Sequence, residues 1–166
     1  MKNRIKLLLI EDNRLLRDGI TTMLKNQKDI QIVGVSGNQT NTVIKLKQLK
    51  PDVILLDLGL RNQNSLNVVE IVKKDFPNAK VIVMDLSPVQ GDIIQFVKAG
   101  ASGFILKDAT LADFLNTIRA VAEGDKILPP NLTNSLFSQI IEGALKNGKT
   151  KLNEAVKMTK REKEVI

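Results

Sequence analysis

The chain has 166 residues, 43% of them hydrophobic, a formal net charge of +7, and neither cysteine nor histidine. That length suits one domain of ordinary size with a tail or a fragment of a second, and the apolar share supports a proper core. The two missing residue types exclude disulfides, thiolate metal sites, cysteine nucleophiles and imidazole acid–base chemistry, so any metal here is held by oxygen ligands, which favours Mg2+, Mn2+ or Ca2+.

The first element is a strand over Ile5–Ile10. The opening MKNRIKLLLI resembles a signal peptide, but Lys6 interrupts the apolar run, Glu11-Asp12 ends it, and no small-residue cleavage site follows. Leu15, Leu16, Ile20, Met23 and Leu24 then repeat at helical spacing. A second strand is expected over Ile30–Val35, and Val43, Ile44, Leu46 and Leu49 give a second helical face. Pro51 stops that helix before a third strand, Val53–Leu56. The helical pattern at Leu66–Phe76 ends at Pro77, ahead of a strand at Val81–Met84. A short helix at Ile93–Val97 and a strand at Phe104–Leu106 follow. Thr110 and Asp113 cap a fifth helix, Leu111–Val121, with an acid in its first turn. Strands spaced about every 25 residues with helices between them predict a parallel α/β sheet covered on both faces. No segment approaches the ~18 apolar residues of a membrane span, so no membrane partner is expected and the chain reads as cytoplasmic.

After Gly124 the pattern changes. Leu132, Leu136, Phe137, Ile140, Ile141 and Leu145 form one face of an added C-terminal helix at about 131–146, opened by Pro129-Pro130. That face is expected to pack on the preceding domain or on a second copy, because an exposed stripe of its size favours association. From Ala144 onward there are seven Lys and Arg against three Glu. A basic tail can serve nucleic acid, but this one has no aromatic residue and reads as a solvated linker.

Four strands end in charge. Glu11 and Asp12 follow the first, Asp57 ends the third, Asp85 the fourth and Lys107 the fifth. In a parallel sheet all carboxyl ends lie on one edge, where open α/β folds bind ligands, and the crossover rules keep these strands close. One such aspartate is a turn cap. Four carboxylates converging with one lysine make a site, and a hard divalent cation relieves their repulsion.

The stretches LLIEDNRLLRDGI, PDVILLDLGL, VIVMDLS and KAGASGFILKD, in this order, resemble the receiver domain of two-component response regulators over roughly residues 4–124. The final MTKREKEVI resembles the opening of a LuxR-type helix-turn-helix, which points to the NarL/FixJ-like subclass; Thr159 with Glu162 has the form of a capping box. The chain stops before any recognition helix. The resemblance implies a doubly wound, flavodoxin-like sheet of order 2-1-3-4-5. It also implies a receiver over 1–124, a linker over 125–157 containing the added helix, and a helix-turn-helix start over 158–166. Asp57 is then the phosphoryl acceptor, charged by a sensor histidine kinase. Asp12 and Asp57 would hold Mg2+ (or Mn2+) with the Gly59 carbonyl, and Glu11 would act through a water. Lys107 would pair with phosphoryl oxygens, and Phe104 would be the aromatic that reports activation. The output would be DNA binding through a domain missing from this chain, and a homodimer is among the expected partners.

Three positions depart from the family pattern. Arg61 replaces a proline and Ser65 a glycine, which changes the stiffness of the acceptor loop. Asp85 replaces the threonine or serine whose hydroxyl donates to the phosphoryl group. An ionised aspartate only accepts, and would face a group carrying about −1.5 to −2 charges. Asp85 therefore holds Lys107 in a salt bridge, adds a metal ligand, or marks a regulator independent of phosphorylation. A fourth account places a bulge in this strand and lets Ser87 supply the hydroxyl. The salt bridge is the expectation, with slow phosphorylation of Asp57 that Asp85→Thr should relieve. The function expected is a phosphorylated, DNA-regulating receiver; the alternative is a phosphorylation-independent interaction or dimerisation module. An enzyme is not expected: aspartyl-phosphate hydrolases carry a second acid two residues after the nucleophile, and position 59 is glycine. A dinucleotide site is weaker still, because GVSG at 34–37 lacks the required glycine spacing.

Overall fold

A computed structural model describes residues 3–37, 41–59, 65–86, 93–128, 133–134, 137–138 and 140–147. In chain order the elements are β1 (Ile5–Ile10), α1 (Arg14–Lys25), β2 (Ile30–Ser36), α2 (Thr42–Leu49), β3 (Val53–Asp57), α3 (Ser65–Asp75), β4 (Lys80–Leu86), α4 (Ile93–Ala99), β5 (Gly103–Leu106) and α5 (Leu111–Ala122). The strands form one sheet in the order β2-β1-β3-β4-β5. Every strand pairing in it is parallel. The doubly wound sheet expected from the sequence is the one observed.

The near-continuous apolar runs become central strands because both faces of the sheet are covered. Leu7, Leu8, Leu9 and Ile10 of β1 and Val53, Ile54, Leu55 and Leu56 of β3 are fully buried. Side chains alternate across a strand. One set, Leu7, Leu9, Val53, Leu55, Ile82 and Met84, packs in a core with Ile20 and Leu24 of α1 and Phe114, Leu115, Ile118 and Val121 of α5. The glycine that opens β5 permits this closeness: a Cβ on Gly103 would lie 2.8 Å from Val121 Cγ2.

Local signals set the helix ends. The Asn13 side chain accepts from the Leu16 amide at 3.2 Å to start α1, and Thr110 Oγ1 accepts from the Asp113 amide at 3.1 Å to start α5, as its sequence predicted. The helix before Pro51 closes on Lys50 in the left-handed conformation, φ 45°. At the edge strand β2, Lys45 Nζ donates to the Val35 carbonyl at 2.9 Å, which blunts an otherwise open edge. At the opposite edge, Ile127 makes a parallel bridge to Gly103, a contact with no periodicity to announce it.

The chain divides into two compact units, 1–129 and 130–166. In the second, residues 133–134, 137–138 and 140–147 are helical, so the added helix is present. Phe137, Ile140, Ile141 and Leu145 are exposed in the single chain. Leu132 and Leu136, and the expected helix-turn-helix start at 158–166, lie outside the described residues.

Candidate functional site

Parallel pairing brings three acids to one end of the sheet. Glu11 and Asp12 follow β1, and Asp57 is the last residue of β3. Ligand oxygens from all three lie within 4.8 Å of one another. Glu11 is 1% exposed and Asp57 4% exposed, so two carboxyl groups are held against the apolar core.

Backbone donors hold each group. The Asn13 amide donates to Glu11 Oε1 at 3.0 Å, the Glu11 amide donates to the Ser36 carbonyl at 2.9 Å, and Arg17 Nη1 donates to the Glu11 carbonyl at 3.1 Å. The Gly59 amide donates to the Asp57 carboxylate. These bonds leave one buried oxygen on each acid, Glu11 Oε2 and Asp57 Oδ1, without a donor. Burial, then the charges of Asp57 and Asp12, pushes Glu11 up to about 7 against the opposing Asn13 amide. Asp57 is also raised, first by burial and, against the Gly59 amide, by the nearby charge of Asp85.

The same features fit a hard divalent cation. Three oxygen donors converge, two buried oxygens lack partners, and excess negative charge raises both buried carboxyl groups. Glu11, Asp12 and Asp57, expected together from the sequence, are brought together.

The remaining site residues are placed less simply. Lys107 is exposed after β5, Phe104 is buried within β5, and Asp85 is half-buried. Arg14–Asp18 and Arg119–Asp29 form ion pairs, but Asp85 and Lys107, both described, do not form the expected salt bridge. The reason lies in the ladder. Val83 pairs with Phe104, but Leu86 rather than Asp85 pairs with Leu106, so Met84 and Asp85 together face Ile105. This is a β-bulge, and Asp85 sits in it at φ 67°. The extra residue takes Asp85 out of the register that would have set it beside the end of β5. The bulge of one residue brings Leu86 opposite Leu106, while Ser87, like Arg61, lies outside the described residues.

One contact had no expectation attached. Ser65, 4% exposed at the start of α3, donates its hydroxyl to the Asp57 carbonyl at 2.9 Å and lies 3.3 Å from the Leu58 carbonyl. The signal available was the polar residue where the receiver pattern has glycine.

Comparisons with known proteins agree with this geometry. The response regulator receiver domain model matches residues 7–119. The transcriptional regulatory protein LnrK of Bacillus subtilis (strain 168) is 27% identical over 165 residues, covering 98% of this chain and 75% of LnrK. The response regulator protein VraR of Staphylococcus epidermidis (strain ATCC 35984 / DSM 28319 / BCRC 17069 / CCUG 31568 / BM 3577 / RP62A) is 29% identical over 128 residues, 77% of this chain and 61% of VraR. In fold, a two-component response regulator of the LuxR family from Aurantimonas sp. SI85-9A1 superposes with a TM-score of 0.74 at 17% identity, over 84% of this chain and 99% of that one. With the family model running from Leu7 in β1 to Arg119 in α5 and including the three acids, the chain belongs to the response regulator receiver domain family, a signalling family rather than a catalytic one.

Proposed function

We propose that this domain accepts a phosphoryl group on Asp57 from a sensor histidine kinase in the cytoplasm and passes the signal to a DNA-binding output. The observation that carries the reading is the convergence of buried Glu11 and Asp57 with half-buried Asp12, in which two buried oxygens lack donors. Asp12 and Asp57, with the Gly59 carbonyl, would hold Mg2+ or Mn2+, and Glu11 would act through a water. The cation, when bound, neutralises the equatorial oxygens of the transferring group. An Asp57 carboxylate oxygen then attacks phosphorus in line as the donor's leaving atom departs. Lys107 adds positive charge at the same oxygens. Phe104 is the aromatic of β5 whose position reports the switch. A regulatory output on DNA is supported by the relative LnrK, described as a transcriptional regulatory protein.

The alternative, a phosphorylation-independent interaction module, is favoured by one observation: Asp85 supplies negative charge near Asp57 where the family has a hydroxyl. Incubation with a small phosphodonor, with and without Mg2+, separates the two. Mg2+-dependent labelling abolished by Asp57→Asn supports the acceptor; a chain that binds Mg2+ but takes no label is the alternative. If labelling occurs, the hydroxyl source is Ser87 or a bound water, and Ser87→Ala distinguishes them.

A further inference from the structure

We infer that Ser65 is a positioning residue for the phosphoryl and metal site, tying the start of α3 to the backbone that carries Asp57. The carbonyls of Asp57 and Leu58 lie at the carboxyl end of β3, of which Asp57 is the last residue. The Ser65 hydroxyl has one proton, which it places on the Asp57 carbonyl at 2.9 Å, with the Leu58 carbonyl at 3.3 Å near enough to share it. The bond is buried, with Ser65 and Asp57 each 4% exposed, so water does not replace it easily.

The bond fixes the peptide planes between the acceptor and Gly59. From this short stretch come the acceptor carboxylate, the amide of Gly59 that donates to it, and the carbonyl assigned to the cation. The Leu58 amide is meanwhile bonded to the Met84 carbonyl at 3.3 Å, which attaches the same peptide to the bulged strand β4. Ser65 and β4 thus hold residues 57–59 from two sides. A glycine at 65 has no hydroxyl and leaves this backbone to the β4 bond alone.

The inference rests on the reading that Asp57 and Gly59 hold a divalent cation. Its test uses the full chain with Ser65→Ala and Ser65→Gly, both small enough for the site. Two quantities are measured at matched global stability: amide exchange of Leu58 and Gly59 without metal, and Mn2+ affinity by electron paramagnetic resonance. Ser65→Ala should speed exchange at those amides and weaken Mn2+ about three- to tenfold, the range of one buried hydrogen bond. Ser65→Gly should weaken it at least as much. Variants with wild-type Mn2+ affinity overturn the inference, whether or not exchange changes, since a purely structural tether leaves affinity unmoved. A wild-type chain that binds no Mn2+ removes the metal reading, and this inference falls with it.

Discussion

Asp85 shows how much one backbone angle changes the reading of a side chain. At φ 67° a non-glycine residue sits in a region that costs roughly 1–2 kcal/mol, least for Asp and Asn. Its carboxylate also raises the proton affinity of Asp57. Asp85→Asn keeps the tolerated conformation and removes the charge, so it should stabilise the metal-free protein by about 0.5–1 kcal/mol at neutral pH. Urea unfolding in EDTA measures this, and a lower midpoint than wild type would contradict it. Asp85→Thr places a β-branched residue at positive φ and should instead lower stability by about 1–2 kcal/mol. The structure thus makes Asn, rather than Thr, the clean probe of whether this charge limits phosphorylation. Glu11 sets a second residue-scale expectation. Its folded pKa of about 7 exceeds its ordinary 4.5, so the folded chain binds more protons than the unfolded one between those values. The associated stability is fully present below pH 4.5 and is lost as pH rises through 7. In EDTA the unfolding free energy measured with urea should fall across this window, by on the order of a few kcal/mol at most. Mg2+ should flatten the slope by binding the ionised acids, and an unchanged slope would argue against a cation at this site.

At the scale of elements, the helix signals were readable because they are local. Thr110 and Asp113 stand three residues apart, and the hydroxyl accepts from the Asp113 amide at 3.1 Å. Thr110→Ala should cost about 1 kcal/mol, measured as a shift in urea midpoint without change in slope. Strand β3 is a different case, since its worth comes from burial rather than propensity. Leu55 is fully buried, and Leu55→Ala should cost about 2–5 kcal/mol. If Leu55→Ala proved milder than Thr110→Ala, the packing of this sheet would be looser than described. The exposed Arg119–Asp29 pair, 2.7 Å between Nε and Oδ2, links α5 to the start of β2. Its side chains are 38% and 48% exposed, which limits the pair to about 0–1 kcal/mol.

Across the whole molecule, the sheet and its five helices form a unit that closes by residue 129. A chain ending at residue 129 should therefore still unfold in a single cooperative urea transition. A drop in its unfolding free energy of more than about 1 kcal/mol below that of the full chain would show that residues beyond 129 contribute to the fold. The helical residues after 132 expose Phe137, Ile140, Ile141 and Leu145, a stripe that favours association at rising concentration. Sedimentation of the full chain against the one ending at 129 reads this directly, and a monomer mass for the full chain at every concentration would remove it.

The alternation of apolar strands and amphipathic helices fixed the class of fold from sequence alone, because periods of 2 and 3.6 are properties of neighbouring residues. With the crossover rules, that alternation also puts Glu11, Asp12 and Asp57 on one edge. The family resemblance supplied the strand order. What remained illegible depends on partners distant in the chain. The Met84–Asp85 bulge is a matter of how β4 registers against β5, and the apolar pattern of VIVMDL is compatible with a regular strand or a bulged one. That single extra residue separates Asp85 from the pairing its sequence position suggested. The Ser65 bond likewise spans eight residues and exists only because α3 begins beside the end of β3. Local pattern determined which segments are strands and helices. Register and burial, which follow from the packed sheet, decided which side chains meet.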